Sequence, residues 1–260
     1  MAYLRSRDPW MEHAKEIIFA EDAVNVSVES KNKDLIKFGR HDTVQIAATT
    51  LMILPTGIYN ETYVATDLIT SIVSTSGSDT TTVVVEGHTI SGTTLTFATQ
   101  TATLNGQTAV LLGTPIARST RAYASGAVDL IGVISVCETD TYTAGVPVTP
   151  AGVHLQIRAG ENQSEKASTS LSSTDYWVVT SIRCDLLEKT AASVDVELQV
   201  RLPGKVWRKA NNVTCSESKN GLLEFFPYII IKPNSDIRLV AHASANGKSV
   251  TGSIHGVLLN

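Results

Sequence analysis

The residue types that do chemistry are all present in this 260-residue chain, but their spacing ties them to no reaction. Three cysteines, Cys137, Cys184 and Cys215, lie far apart and are odd in number, with no C-x-x-C and no adjoining histidine. That spacing suggests neither zinc ligation nor a disulfide framework. Cys137 and Cys184 fall in apolar runs and read as small core thiols. The six histidines (His13, His41, His88, His154, His242, His255) never stand at H-x-H, H-x-x-H or H-E-x-x-H spacing. His154, His242 and His255 alternate within strand-like runs, as solvent-facing or hydrogen-bonded strand positions do. A serine hydrolase would need Ser, His and an acid together, and no G-x-S-x-G marks a nucleophile turn. Phosphate loops and the D-x-D-x-D-G calcium pattern are equally missing. The carboxylates are dispersed, and glycoside hydrolysis sets no sequence spacing for its acid pair. Sugar-stacking aromatics are thin: Phe, Trp and Tyr make up 6% of the chain. Trp177, Trp207, Phe225, Phe226 and Tyr228 read better as core or interface than as carbohydrate subsites. The expectation is a protein that is not an enzyme, with no catalytic, cofactor or metal residues.

The elements that would carry any site are strands. In residues 80–112, apolar positions alternate with Thr and Ser, and turns interrupt at Ser91-Gly92 and Asn105-Gly106. Period-2 alternation buries one face and solvates the other. Asn-Gly between two such runs predicts a type I′ hairpin. The outward face is rich in Thr, which marks it as a contact surface. Six to eight strand signals repeat from Thr43 to about residue 160, and a second series runs from Glu165 to Leu259. Val194, Val196, Leu198 and Val200 alternate with Asp195, Glu197, Gln199 and Arg201, a half-buried strand. Asp236–Ala243 and Val250–Leu258 alternate likewise and predict a hairpin through Asn246-Gly247. The fold expected is all-β: two tandem antiparallel β-sandwich, jelly-roll-like domains at 43–160 and 161–260, with the boundary in the polar turn near residue 160.

Residues 1–42 read as an N-terminal arm with a short helix. Asp8-Pro9 is a helix start, and Trp10, Ala14, Ile17 and Ile18 form one apolar stripe. The helix either packs on its own body or docks on a neighbouring subunit with Trp10, Ile17, Ile18 and Phe19 as anchor. After it come EDAVNVSVES, a short alternating run, and KNKDLIKFGRHDTV, which has no strong pattern. The net charge is −4 and the Lys and Arg are scattered, so direct nucleic-acid binding is not expected. No secretory leader is visible, and no run approaches 18 apolar residues, so no membrane partner is expected either. The strand around Phe225 and Phe226 is an edge candidate that could add to a partner's sheet.

Several segments stand in one serial order: KFGRHDTV (37–44), TATLNGQTAVLLGTPIARSTRAYAS (101–125), RAGENQS (158–164), VELQVRLPGKVWR (196–208) and IKPNSDIRLVAHASANGKSVTGSIHGVLL (231–259). Together they resemble a group of tailed-bacteriophage virion structural proteins, with the SDIRLVAHASANGKSVTGSIHGVLL ending as the most specific piece. His41 replaces the usual Asn after K-F-G-R, and the turn before SDIR reads Lys232-Pro233-Asn234. The resemblance implies a β-rich virion component, assembled in the host cytoplasm, that binds major capsid or connector subunits and is a homo-oligomer. Capsid cement or decoration is the first role it implies. A head–tail adaptor, a tail or other appendage subunit, and a glycan-binding adhesion module on the virion are the alternatives. The group has no catalytic role to carry over.

Overall fold

The computed structural model describes residues 33–44, 47, 49–50, 66–187, 192–202, 204–217 and 220–259. The arm residues Trp10, Ile17, Ile18 and Phe19 and the helix expected around them lie outside the described residues. What is described is all-β and antiparallel, as the alternation predicts. Among the described residues no helix is long and apolar enough to cross a membrane.

In chain order the strands are β1 (Lys33–Val44), β2 (Thr49–Thr50), β3 (Ile69–Ser74), β4 (Thr82–Ser91), β5 (Thr94–Thr103), β6 (Val110–Ile116) and β7 (Arg118–Ala124). Next come β8 (Ile134–Glu138), β9 (Tyr142–Thr143), β10 (Val146–Pro147), a single 3-10 turn at Pro150–Gly152, β11 (Val153–Ile157) and β12 (Ser168–Ser170). The last are β13 (Tyr176–Leu186), β14 (Ser193–Arg201), β15 (Arg208–Ser216), β16 (Gly221–Ile231), β17 (Asp236–Ala243) and β18 (Lys248–Leu259).

Two buried clusters organise these strands. One is filled by Ile69, Ile72, Ile134, Val136, Leu155 and Ile157 of the sheet β11-β8-β3-β6, against Val83, Val85, Ala102 and Ala122 of the sheet β5-β4-β7. The other joins Trp177, Ile182 and Ile254 of the sheet β1-β18-β13-β16 to Val194, Val196, Leu198, Ile237 and Leu239 of the sheet β12-β17-β14-β15. In β14 the buried residues are Val194, Val196 and Leu198, the alternation read from the sequence. Strands β1 and β2, which the sequence reading places in the arm and the first domain, pair instead with β18 and β17. Residues 162–164, near the expected boundary, run along β7: Ala124 N–H donates to Asn162 O (2.8 Å) and Ser164 N–H to Ala122 O (2.9 Å).

Two hairpin expectations need correction. β4 and β5 do pair, through Gly92-Thr93 with Gly92 at φ 61°. Asn105-Gly106, however, does not join paired strands: β5 pairs with β4, while β6 pairs with β3 in the other sheet. Gly106 takes φ 55° but Asn105 keeps an ordinary φ, so the two positive angles of a type I′ turn are not there. Likewise β17 and β18 lie in different sheets, and Asn246-Gly247 carries the chain across the core as an arch. Alternation reports which face of a strand is buried, and both a hairpin and an arch satisfy it.

At Glu86 and Gly87 the pairing of β4 with β7 shifts by one residue, leaving Thr120 as the extra residue of β7. A Cβ on Gly87 would stand 2.1 Å from the Arg118 carbonyl oxygen and 2.6 Å from Ile116 Cδ1. Gly87→Ala should therefore cost about 1–3 kcal/mol in urea unfolding, the usual penalty for forcing volume into a packed site. Gly77→Ala, where a Cβ meets nothing within 4 Å, is the control and should leave the midpoint nearly unchanged.

Candidate functional site

The two cores meet at one buried carboxylate. Asp236 opens β17 and is fully buried. In the sheet it lies between Ser170 of β12 and Arg201 of β14, its register partners on either side. Ser170 Oγ donates to Oδ1 at 2.6 Å and Arg201 Nε to Oδ2 at 3.0 Å. From the other core, Arg118 of β7 places Nε 3.0 Å from Oδ1 and a second guanidinium nitrogen 3.5 Å from Oδ2. Arg118 is itself buried. The turn before Asp236 adds backbone bonds across the same junction. Leu95 N–H of β5 donates to Asn234 Oδ1 (2.8 Å), and Ser173 N–H donates back to Leu95 O (2.9 Å). Asn234 takes φ 57°, a left-handed turn conformation that Asn tolerates better than most side chains.

Beside this junction opens a cleft of about 460 Å³ between β1, the β4/β7 surface and β12. Ile36, Phe38 and Phe97 stand at it with 55%, 39% and 51% of their surface exposed. Lys37, Lys166 and His88 line it and are buried. Lys37 Nζ donates to the carbonyl of Thr120 (2.6 Å), the extra residue that the β7 irregularity leaves outside the register with β4 and whose hydroxyl donates to Glu86 O (3.1 Å). Lys166 Nζ donates to Ser119 O (2.8 Å) and His154 O (3.3 Å). Burial first, and Lys166 next, depress the Lys37 amine to about 7 against the pull of Glu86. Burial likewise holds His88 down to about 4, so its ring is neutral at pH 7. The His88 ring packs edge-on against Phe97 at 5.5 Å, and its Nδ1 has no hydrogen-bond partner among the described residues. A partly neutral lysine amine can form imines with carbonyl compounds. Here the amine is engaged with Thr120, and what it does is tie β1 to β7.

The second feature is β16, which among the described residues pairs on one side only, with β13. Val179 faces Ile229 and Ser181 faces Glu224, so Thr180 alone opposes Phe225, Phe226, Pro227 and Tyr228. This four-against-one bulge separates the two phenylalanines that the sequence reading put together as docking residues. Phe225 turns into the core and is buried, whereas Phe226 projects with 89% of its surface exposed. The correction for Phe225 follows from the bulge, because adjacent strand residues point to opposite faces and the extra residues lift only one of them. Leu222 and Ile230, on the same strand, are also exposed.

The remaining sequence candidates are structural. Cys137, Cys184 and Cys215 are buried free thiols. His154 is buried and bonds Glu138 Oε1 at 2.9 Å. Trp177 is fully buried, and Trp207 has the guanidinium groups of Arg238 and Arg201 over its ring at 4.1 and 4.6 Å. Trp177 therefore offers no stacking platform of the kind a glycan module uses. Thr99, Thr101 and Thr103 share one exposed face of β5, the outward face read from the sequence, while Thr94 and Thr96 are exposed on the opposite face near the start of the strand. Asp236, Arg118 and Lys37 escaped the sequence reading, since their partners stand 118, 118 and 83 residues away in the chain.

No protein-family model matches this chain, and no curated protein matches it. Two solved structures align weakly: one of infectious bursal disease virus Gt strain and one of the infectious bursal disease virus VP2 subviral particle. They cover 90% of this chain and 73% and 72% of theirs, at 12% and 10% identity, each with a TM-score of 0.22. Similarity at that level carries no argument about this chain.

Asp236→Asn leaves Arg118 and Arg201 without their shared counter-charge and should lower unfolding free energy by about 3–5 kcal/mol, read from urea titration. Lys37 sets a pH dependence of opposite origin. Between about 7 and 10.5 the unfolded chain holds the Lys37 proton and the folded chain has lost it, so stability rises with pH across that window. Urea titrations of Lys37→Met over the same range should lack this part of the slope.

Proposed function

We propose that the chain is a non-enzymatic structural subunit of a tailed-phage virion, built as two tandem jelly-roll-like β-sandwiches and bound to neighbouring capsid or connector subunits. Capsid cement or decoration is the role that fits best. The observation that carries this reading is Phe226, held 89% exposed by a bulge on a sheet edge with no partner strand among the described residues, and flanked by exposed Leu222 and Ile230. An exposed apolar edge is a liability to a free protein and an asset to an assembled one, where a partner covers it. The serial motifs that resemble tailed-phage virion proteins support the same reading independently.

The bulge also says how such contact would be made. Pro227 has no N–H to donate, and the three extra residues interrupt the ladder, so a partner strand cannot run continuously along β16. Phe226 acts instead as a knob for a pocket on the neighbouring subunit, the arrangement in which single aromatic residues dominate binding.

The test is incorporation into particles. Phe226→Ser should fold as the parent does and be recovered in purified virions at least about tenfold less, as expected for loss of an interface anchor. Quantitative mass spectrometry of the particles reads this directly. Packaging of Phe226→Ser at the parent level would remove Phe226 as the anchor. Absence of the parent chain from particles, with a monomeric mass at high concentration, would overturn the virion reading itself.

A further inference from the structure

Two of the three thiols share one place in the fold. Cys184 of β13 and Cys215 of β15 belong to the two sheets that face each other across the core holding Trp177, and both are buried in that core. The Cys184 side chain reaches across to β15. Its Sγ lies 3.9 Å from Val213 O, and Val213 stands two residues before Cys215 on the same inward face. The start of β16 confines it from another side. Gly221 is the register partner of Cys184, and a Cβ there would stand 2.5 Å from Cys184 Sγ and 2.9 Å from both Thr214 O and Val213 Cγ2. Held between these backbones, the Cys184 thiol meets Cys215 directly and donates a hydrogen bond to its sulfur. That bond, and burial after it, push the Cys184 thiol up, while the same bond draws Cys215 down, so Cys215 is the first of the two to ionise. Cys137 is elsewhere. It lies on β8, in the sheet β11-β8-β3-β6, and contacts Ser71 Oγ (3.7 Å) and Tyr142 Oη (3.6 Å).

We propose that Cys184 and Cys215 are a redox pair that a peroxide closes into a disulfide, stapling β13 of one sheet to β15 of the other. The proposal does not rest on the virion reading. Its chemistry balances with the peroxide as the sole oxidant. The Cys215 thiolate attacks one peroxide oxygen, the O–O bond breaks, and the departing hydroxide takes up the Cys215 proton as water. The Cys184 sulfur then attacks the sulfenic sulfur of Cys215, the S–O bond breaks, and the hydroxyl leaves with the Cys184 proton as a second water. The two thiols lose two electrons and the peroxide gains them. Both sulfurs are buried, which favours an oxidant as small as a peroxide over a bulky disulfide. Thiols already in contact need no change of register or topology to be joined, and the neighbouring thiol intercepts the sulfenic acid before a second oxidation. The closed loop contains β14, which lies between β17 and β15 in its sheet. Closing it removes freedom from the unfolded chain and leaves the folded topology unchanged, so the staple resists unfolding.

The test uses the full chain, reduced, freed of reductant and treated with millimolar hydrogen peroxide. The intact mass should fall by two hydrogens. A non-reduced digest should hold one cross-linked peptide pair joining Cys184 to Cys215, with Cys137 still open to alkylation after unfolding. The oxidised chain should unfold at a urea concentration higher by about 0.5–1.5 M than the reduced chain, and added dithiothreitol should abolish the gain. Cys137→Ser should keep both the link and the shift, and Cys215→Ser should lose both. Two free thiols after treatment, sulfinic or sulfonic acid at either position without the link, or a link to Cys137 or to a second chain would each overturn the proposal. A Cys184–Cys215 disulfide that leaves the midpoint unchanged or lowers it would overturn the staple as well.

Discussion

The structure hangs on a carboxylate that water does not reach. Burying Asp236 is tolerable only because three donors converge on it, and they come from different places: Ser170 and Arg201 from its own sheet, Arg118 from the other core. A buried ion pair adds little net stability compared with apolar packing, but it is intolerant of misplacement, because a displaced guanidinium leaves an uncompensated charge. Two apolar surfaces could slide over one another at small cost. A bidentate contact between Arg118 and Asp236, reinforced by the Leu95, Ser173 and Asn234 bonds, cannot. Orientation of the two cores is thus set by polar geometry, while their stability comes from apolar burial in each.

The cleft follows from that orientation. With β7 fixed against the start of β17, the extra residue Thr120 directs its carbonyl to Lys37, and β1 is held at a set distance from the β4/β7 surface. The depressed Lys37 amine is the electrostatic consequence of seating a lysine near Lys166 in a place that water leaves. Glu86 offsets part of this and does not reverse it. One irregularity in β7 therefore connects the inter-core lock to the width of the gap.

Much of the β architecture is legible in the sequence, and the misses have a common cause. The β14 alternation marks buried Val194, Val196 and Leu198 because that strand has one core face and one wet face. β1 shows no such pattern because two of its buried positions are Lys37, held by a polar contact, and Gly39, which has no side chain to mark it. Asn105-Gly106 and Asn246-Gly247 signal turns correctly but not which strands pair, since a local signal holds no information on sheet membership. Phe225 and Phe226 look like one patch until the register with β13 shows four residues opposing one. Asp236 reads as an ordinary strand-start acid, for its decisive partner is 118 residues distant.

The run of chain from Lys232 to Leu259 links these features physically. It begins with the turn that bonds β5, continues through Asp236 into β17, crosses the core at the Asn246-Gly247 arch, and returns as β18, which carries β1 on one side and β13 on the other. β13 in turn carries the bulged β16 edge. A single run of chain thus connects the inter-core lock to β1 and β16, the outer strands of their sheet among the described residues, each reached through no more than two ladders of hydrogen bonds. Ladders are stiff compared with loops, so the edges inherit their relative placement from the lock. Geometry imprecise at Asp236 would therefore be imprecise at Phe226 and at β1 together.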